Sequence, residues 1–160
     1  MQIRVANRQD EPIIRTIVNQ ALAERGSSEV DLKGRDEDLN NVEQHYFWHD
    51  GLFLVAEDDG QIIGLVGARK CEHDDSLELL RLVVVPSHRK KGVAHSLMDT
   101  VFFFARNLEY KEVSCMFEMD PVSGFSSNMG DFKVDDARGN RWVIPVGSTR
   151  KFEEPRPQIS

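Results

Sequence analysis

The segment that decides the fold of this chain is residues 79–94, which read Leu79-Leu80-Arg81-Leu82-Val83-Val84-Val85-Pro86-Ser87-His88-Arg89-Lys90-Lys91-Gly92-Val93-Ala94. Residues 79–85 are apolar except for Arg81 and are rich in β-branched side chains, which is typical of a strand buried on both faces. Pro86 ends this strand because proline has no N–H to donate to a neighbouring strand. The sequence therefore predicts a central strand followed by a turn.

A helix is predicted after this turn. Gly92 opens it, and from Ala94 onward the apolar residues recur at the spacing of one helical face. These positions are Leu97, Met98, Val101, Ala105 and Leu108. Phe102, Phe103 and Phe104 widen the apolar surface, so we expect this helix to pack on more than one side.

The junction between the strand and the helix is a candidate anion site. A helix N-terminus carries free N–H groups and the positive end of the helix dipole. Gly92 and Ala94 let a ligand approach the backbone, and Arg89, Lys90 and Lys91 add positive charge. These features suit a pyrophosphate or a similar anion. On residue types alone, a solvated basic loop that caps a core helix explains them equally well.

The order of these residues resembles the signature of a known family. Residues 82–94 resemble the acetyl-CoA-binding motif of the GNAT superfamily of N-acetyltransferases, in which Arg/Gln-x-x-Gly-x-Gly/Ala follows a strand that ends in Val-x-Pro. The resemblance covers about residues 3–117 and is poor in the last quarter of the chain. It implies acetyl-CoA as the acyl donor, no metal, and a donor-binding segment made of Leu82, Val83, Val84, Arg89, Lys90, Lys91, Gly92, Val93 and Ala94.

The rest of the pattern predicts one α/β domain. Strands are predicted at 2–6, 52–56, 61–70 and 112–117, helices at 10–24 and 36–48, and a closing hairpin at 132–134 and 141–146. Gly64 and Gly67 inside a strand indicate a bulge or a ligand close to the backbone. The expected fold is a mixed, strongly twisted sheet of about six to seven strands with helices on both faces, as in the GNAT superfamily. Residues 1–150 would form the GNAT-like acetyltransferase domain and residues 151–160 a loose C-terminal tail.

The composition excludes several classes of function. A net charge of −7 argues against nonspecific binding to nucleic acid or to anionic membranes. No apolar run approaches the roughly 20 residues that span a bilayer, and the first residues lack a signal pattern. Cys71 and Cys115 have no paired spacing, which suits buried thiols in a reducing compartment. We therefore expect a cytoplasmic protein.

Acetyl transfer to an amine requires a base, a hydrogen-bond donor for the developing oxyanion, and two aligned substrates. In the family, the backbone of the strand before the loop pairs with the pantetheine arm of the donor. The resemblance therefore places Leu82 and Val84 along this arm and makes the N–H of Val84 the oxyanion donor.

Glu78 is the candidate general base. It lies four residues before Leu82, on the same face by the period of two, and it matches the position of a catalytic glutamate in histone-acetylating members of the superfamily. An edge carboxylate at the start of a strand is an equally good interpretation, and Glu57 is the reserve candidate. Arg81 is expected to contact an acceptor carboxylate or to pair with a neighbouring acid.

The general acid is where the chain departs from the family. Members commonly carry a tyrosine on a short helix that precedes Gly-Phe, and here Gly130-Asp131-Phe132 is a loose equivalent. The tyrosine position falls on Ser126, within a short helix predicted at 125–129. Because serine is a poor acid, Ser126 is predicted to bind the thiol or a water. Because a thiol has a pKa of about 8.5, its thiolate is an adequate leaving group, and a dedicated general acid is not required.

The preferred function is transfer of an acetyl or related acyl group from CoA to a primary amine, by direct attack in a ternary complex. The alternative is a catalytically inactive acyl-CoA-binding or sensing domain. A nucleotide-phosphate site is disfavoured because the chain lacks Gly-x-Gly-x-x-Gly and Gly-Lys-Ser/Thr after its first strand. The acceptor is a small-molecule or peptide amine, and acids between residues 27 and 48 favour a cationic one. Dimers are common in the family, so a homodimer is one expected assembly.

Overall fold

The computed structural model describes residues 1–26, 28–71, 75–116, 133–135 and 141–146. Its strands and α-helices, in chain order, are β1 (Gln2–Val5), α1 (Glu11–Glu24), α2 (Val42–His45), β2 (Leu52–Asp58), β3 (Gln61–Lys70), β4 (Ser76–Val84), α3 (Val93–Asn107), β5 (Glu112–Met116), β6 (Lys133–Asp135) and β7 (Arg141–Pro145). The predictions for the 125–129 helix, for Ser126 and for the tail at 151–160 lie outside these residues.

The described strands form one mixed sheet. Its order is β1-β2-β3-β4-β5-β7-β6, with seven strands in total. β4 and β5 are parallel and are joined by the α3 crossover, whereas every other neighbouring pair is antiparallel. The predicted mixed sheet is thus confirmed, and β6 and β7 pair as the closing hairpin.

Helices cover both faces of this sheet, as the sequence predicts. α3 packs on one face, where Leu97, Met98 and Val101 join a buried cluster with side chains of β2, β3, β4 and β5. On the other face, α1 and the segment at 39–46 bury a second cluster. Of the phenylalanines expected to widen the apolar surface of α3, Phe102 is buried in the first cluster, whereas Phe103 is 57% exposed.

The two glycines of β3 make room for large side chains on the two faces. A Cβ on Gly67 would lie 2.8 Å from the ring of Phe53 and 2.9 Å from that of Tyr46. These two rings are buried and meet edge to face, with centroids 5.0 Å apart. A Cβ on Gly64 would lie 3.1 Å from a methyl of Val93 on the opposite face. Side-chain packing therefore explains the lack of a Cβ at both glycines, and the predicted bulge is confirmed, because the ladder shifts register next to each of them.

The helix predicted at 36–48 is broken into three short pieces. A 3-10 turn at Glu37–Asn40, α2, and a second 3-10 turn at Phe47–His49 replace it. The break falls at Asn41, whose backbone is extended and whose side chain accepts a hydrogen bond from the N–H of Gln44. Asparagine competes with helix continuation in this way because its side chain can cap a new helix.

Asp10 is the N-cap residue of α1, but its side chain makes no capping hydrogen bond to the helix. Its carboxylate accepts the backbone N–H of Asn7 at 2.8 Å and binds the guanidinium of Arg4 at 2.8 and 2.9 Å. The hydrogen bonds from Arg4 lower the pKa of Asp10. Arg4 also binds Glu57 at 2.9 Å, so this carboxylate is engaged at the β1–β2 edge of the sheet.

Among the described residues, no helix is both long enough and apolar enough to cross a membrane.

We predict that Gly67→Ala destabilises the protein more than Gly64→Ala does. Both glycines lie in β3, but a Cβ at 67 would overlap two buried rings, whereas a Cβ at 64 would be only tight against Val93. Overpacking of this kind costs about 1–3 kcal/mol. The free energies of unfolding of the two variants, from urea denaturation, measure the difference. Equal stability of both variants would contradict the packing role assigned to Gly67.

Candidate active site

β4 loses its neighbour halfway along its length. β5 pairs with it in parallel only over Ser76–Leu79, which lie opposite residues 112–115. From Leu80 to Val84, β4 remains paired with β3 on one side, but no other described strand pairs with it on the β5 side. This gap, here named the open edge, is where an extended ligand can pair with the backbone.

The backbone groups of Leu82 and Val84 point towards the open edge. Gly64 and Val84 are directly opposite each other, and the N–H of Val85 donates to the carbonyl of Ile63 at 2.9 Å. This pattern makes Gly64–Val84 a non-hydrogen-bonded pair, in which both residues direct their N–H and C=O groups away from each other. The same alternation applies to Leu82. The N–H groups expected to face the donor therefore do face the gap.

A β-bulge in β4 changes which side chains share a face. Gly67 is opposite Arg81 but Ala68 is opposite Leu79, so Leu80 is an extra residue. Leu77, Leu79, Leu82 and Val84 consequently all join the α3-side cluster. The prediction that Glu78 shares a face with Leu82 is therefore wrong, because the extra residue breaks the period of two. Glu78 lies on the α1 side.

The loop after β4 delivers the predicted anion site to the end of the open edge. After a 3-10 turn at Pro86–His88, Lys90 and Gly92 adopt left-handed conformations, with φ of 63° and 85°. Gly92 is the N-cap of α3, and the N–H groups that follow it lack partners within the helix. Lys90 and Lys91 are exposed beside these donors, and the side chain of Val93 is buried in the core.

Arg89 is oriented differently from the two lysines. Its guanidinium forms a two-pronged ion pair with Glu24 at the end of α1, with both distances 2.8 Å. Its Nε also donates to the carbonyl of Val84 at 2.8 Å. The hydrogen bonds to Glu24 raise the pKa of Arg89. Arg89 therefore ties the loop to α1 and to β4, and Lys90 and Lys91 are the loop cations left exposed.

A cavity of about 590 Å³ lies on the α1 side of β4. It reaches β4 at residues 79–81, which is the point where the open edge begins. Its lining is Leu22, Arg25, Gly34, Arg35, Asp36, Glu37, Asp38, His45, Arg69, Leu79, Leu80 and Arg81. The volume is in the range of small-ligand sites. We name it the α1-side cavity.

Arg81 is paired with acids, which is one of the two alternatives that the sequence left open. Its guanidinium binds Asp36 at 2.9 Å and Asp38 at 2.6 and 3.0 Å. Its side chain is only 16% exposed and that of Asp36 1%. Burial alone would raise the pKa of Asp36, but hydrogen bonds from Arg35, the N–H of Asp31 and Arg81 lower it overall.

Tyr46 also belongs to this network, and its position does not suit it to act as the general acid of the reaction. Its hydroxyl donates to Asp38 at 2.5 Å, and its side chain is fully buried. Burial, together with the charge of Asp38, raises the pKa of Tyr46 well above its usual value. A phenol held in this way supports the carboxylate rather than giving its proton to a leaving group.

The structure brings most of the predicted site residues to one corner. Leu82, Val84 and residues 89–94 surround the open edge and the start of α3, whereas Val83 turns towards the α1-side cluster. Sequence reasoning missed Arg69, which faces the α1-side cavity. The sequence signal for this residue was a charged side chain inside the predicted strand at 61–70, two positions after Gly67. Within the described ranges, no group of three or more His, Cys, Asp or Glu side chains is placed to hold a metal ion.

The sequence matches a known family over most of its length. The sequence profile of the family described as "Acetyltransferase (GNAT) family" matches residues 19–121. N-acetylaspartate synthetase from Rattus norvegicus is 40% identical over 77 residues, which is 48% of this chain and 26% of that protein. The matched segment thus covers about a quarter of the length of this curated relative.

Solved structures share the fold at low sequence identity. An acetyltransferase of the GNAT family from Staphylococcus aureus Mu50 is similar with a TM-score of 0.74 and 16% identity, covering 91% of this chain and 98% of that one. The PaiA N-acetyltransferase from Thermoplasma acidophilum, in complex with coenzyme A, gives a TM-score of 0.69 and 21% identity, covering 89% of this chain and 95% of that one.

We predict that the Arg81 network makes the protein sensitive to acid. Because the pKa of Asp36 is lowered in the folded state, its contribution to stability is present above the ordinary pKa of 3.8 and is lost as the pH falls through the lower folded value. Asp36→Asn should cost about 3 kcal/mol or more at pH 7, since it leaves Arg81 under-compensated. It should also flatten the loss of stability at acidic pH.

Urea unfolding at a series of pH values measures this effect. The exposed Glu43→Gln provides the control and should follow the wild-type curve. An Asp36→Asn curve parallel to that of the wild type would contradict the role given to this carboxylate.

Proposed function

Because the chain belongs to the GNAT acetyltransferase family, we propose that it transfers an acetyl group from acetyl-CoA to a primary amine. The observation that carries this proposal is the continuity of the open edge of β4 with the left-handed Gly92 and the N-terminus of α3. A thioester carrier with an extended arm and a pyrophosphate needs these two features in this order. An acyltransferase is thereby favoured over a nucleotide-phosphate domain.

The donor would be held mainly by main-chain groups. The arm pairs with the outward N–H groups of Leu82 and Val84 and with the C=O of Leu82, as an added strand would, while the C=O of Val84 is held by Arg89. The pyrophosphate lies at the first turn of α3, where free N–H groups and the helix dipole favour an anion. Lys90 and Lys91 add charge there. A structural neighbour bound to coenzyme A and another bound to acetyl-CoA support this assignment.

The reaction proposed is direct attack in a ternary complex. The neutral amine nitrogen forms a bond to the thioester carbonyl carbon, and the carbonyl oxygen becomes an oxyanion that accepts the N–H of Val84. The oxyanion then re-forms the carbonyl as the C–S bond breaks and its electron pair leaves with sulfur. The attacking nitrogen gives up one proton and the sulfur takes up one, which leaves the amide and CoA thiol. No acyl-enzyme is required.

Glu78 is proposed as the base that removes the proton of the ammonium group. It lies on the α1 side of β4, the side on which the cavity opens. Because Val84 is five register positions further along the β3–β4 ladder, the proton would pass from the amine to Glu78 through water. The reserve candidate Glu57 is less suitable because Arg4 already binds its carboxylate. The role of Ser126 at the leaving thiol stays a prediction.

The acceptor proposed is a small-molecule amine rather than a protein. One relative is named for N-acetylaspartate, and a structural neighbour is an N-acetylglutamate synthase in complex with N-acetyl-glutamate. Both names describe an acetylated amino acid. The volume of the α1-side cavity suits an acceptor of this size.

We predict that Gly92→Val abolishes binding of acetyl-CoA. The side chain would stand among the N–H donors of α3 and would be strained at a φ of 85°. Gly60→Val is the matched control, because Gly60 has a φ of 78° and lies in the β2–β3 turn with no atom near its Cβ position. Both variants should lose stability by a similar amount, about 1–2 kcal/mol, but only the first should lose the ligand.

Titration calorimetry of the purified protein with acetyl-CoA, ATP and NAD measures this selectivity. Binding of acetyl-CoA alone supports the proposal, and no binding by the folded wild type overturns it. Binding without release of free thiol with any amine would favour the inactive acyl-CoA-binding domain instead.

We predict that Glu78→Gln lowers kcat by about a hundredfold, as expected for loss of a general base. Its affinity for acetyl-CoA should be unchanged, because the carboxylate lies on the opposite face from Leu82 and Val84. The pH dependence of kcat should change in Glu78→Gln and remain that of the wild type in Glu57→Gln. An unaltered pH–rate profile in Glu78→Gln would remove this residue as the base.

A further inference from the structure

We propose that the acceptor is a free amino acid whose carboxylate is bound by Arg69 in the α1-side cavity. This inference rests on the proposed function and narrows its substrate class. The observation that carries it is an arginine of β3 that faces the cavity and has no carboxylate partner among the residues that the structure describes.

Two of the three acids that line the cavity are already paired. Asp36 and Asp38 are bound by Arg35 and Arg81, so this network carries as many positive as negative charges. The expectation of a cationic acceptor depended on acids of this segment being available to a ligand, and for these two the structure removes that basis. Arg69, in contrast, lines the same cavity and lies outside this network.

Arg69 is poorly satisfied by the protein. Its hydrogen bond in the structure runs from Nη1 to the backbone carbonyl of His45 at 3.4 Å, which is long. A guanidinium has five N–H donors in a planar fork that matches a carboxylate. Its side chain is partly withdrawn from water, so an anionic ligand would replace lost hydration. A carboxylate is the group that fits these donors best.

The position of Arg69 fixes where the amine of such a ligand would lie. Arg69 is directly opposite Glu78 in the β3–β4 register, so both side chains leave the sheet on the same face. Directly opposed residues have Cβ atoms about 4.5–5.5 Å apart. An amino acid carries its ammonium and carboxylate groups on one carbon or on neighbouring carbons. With its carboxylate on Arg69, such a ligand would lie on the face that carries Glu78 and direct its ammonium group along the cavity towards the open edge.

The bulge at Leu80 gives this arrangement access to the donor. Leu79 is the last residue of β4 with a β5 partner, and Leu80 and Arg81 begin the open edge. All three residues line the cavity. An acceptor whose carboxylate is on Arg69 would therefore extend through the cavity to the start of the edge on which the donor is proposed to bind. The cavity and the open edge are the two halves of one site.

The test compares amino acids with their own carboxamides. The full-length protein, saturated with acetyl-CoA, is assayed for free-thiol release with each common amino acid and with the matching amide, which keeps the amine and removes the charge. For the best amino acid, kcat/KM should exceed that of its amide by about ten- to a hundredfold, the range for loss of a charged hydrogen bond. Equal turnover of acid and amide by the wild type overturns the inference.

Variants of Arg69 assign the preference to this side chain. Arg69→Gln should raise KM for the amino acid by about ten- to a hundredfold and leave kcat/KM for the amide unchanged. Arg69→Lys should retain part of the preference because it keeps the charge but not the fork. Lys70→Gln is the matched control: it removes one charge from the next position of β3, on the opposite face, and should behave as wild type.

The outcomes separate the two proposals. If neither acetyl-CoA binding nor thiol release is found, the proposed function fails. If acetyl-CoA binds but the amines used are those without a carboxylate, or if no amino acid is turned over, only the inference about Arg69 fails. If Arg69→Gln reduces acid and amide equally, Arg69 has a structural role and the inference is overturned. Should this variant not fold, the wild-type comparison and Arg69→Lys decide.

Discussion

The positive charge of Arg81, held near the middle of the sheet, governs how the α1 side of the molecule is built. A buried charge without partners costs several kcal/mol, so the segment that carries Asp36 and Asp38 must lie across β4. That path brings Tyr46 onto Asp38 and against Phe53. The same segment forms one wall of the α1-side cavity. One ion-pair network therefore sets both the packing and the boundary of the site.

The extra residue in β4 makes this network compatible with the core. In a regular strand, Arg81 would share a face with Leu77 and Leu79 and would point into the apolar cluster under α3. With Leu80 inserted, Arg81 turns to the α1 side, and Leu82 continues the apolar face instead. The same irregularity occurs where β5 leaves β4. A single strand thus carries an open backbone edge and, on its α1 face, side chains that line the cavity, and the proposed function assigns one substrate to each.

The fold could be predicted from sequence, because strand, turn and helix signals are local. The β2–β3 hairpin, β4, the left-handed Gly92 and α3 all follow from patterns within a few residues. The acceptor side could not be predicted so well. The partner of Arg81 lies more than forty positions away in sequence, and the glycines of β3 indicate a bulge without fixing Leu80 as the extra residue of the neighbouring strand. The face of Glu78 and the importance of Arg69 depend on both.

The open edge of β4 is made of main-chain atoms, which every residue type except proline supplies in full. Such an edge depends on the backbone conformation and not on the identity of the side chains. Substitution can then alter the neighbouring cavity while the acyl-donor half stays unchanged. The path of the chain itself tolerates extensive substitution, since a chain with 16% identity shares this fold over 91% of the present one. Donor use and acceptor choice are physically separable traits in such a scaffold.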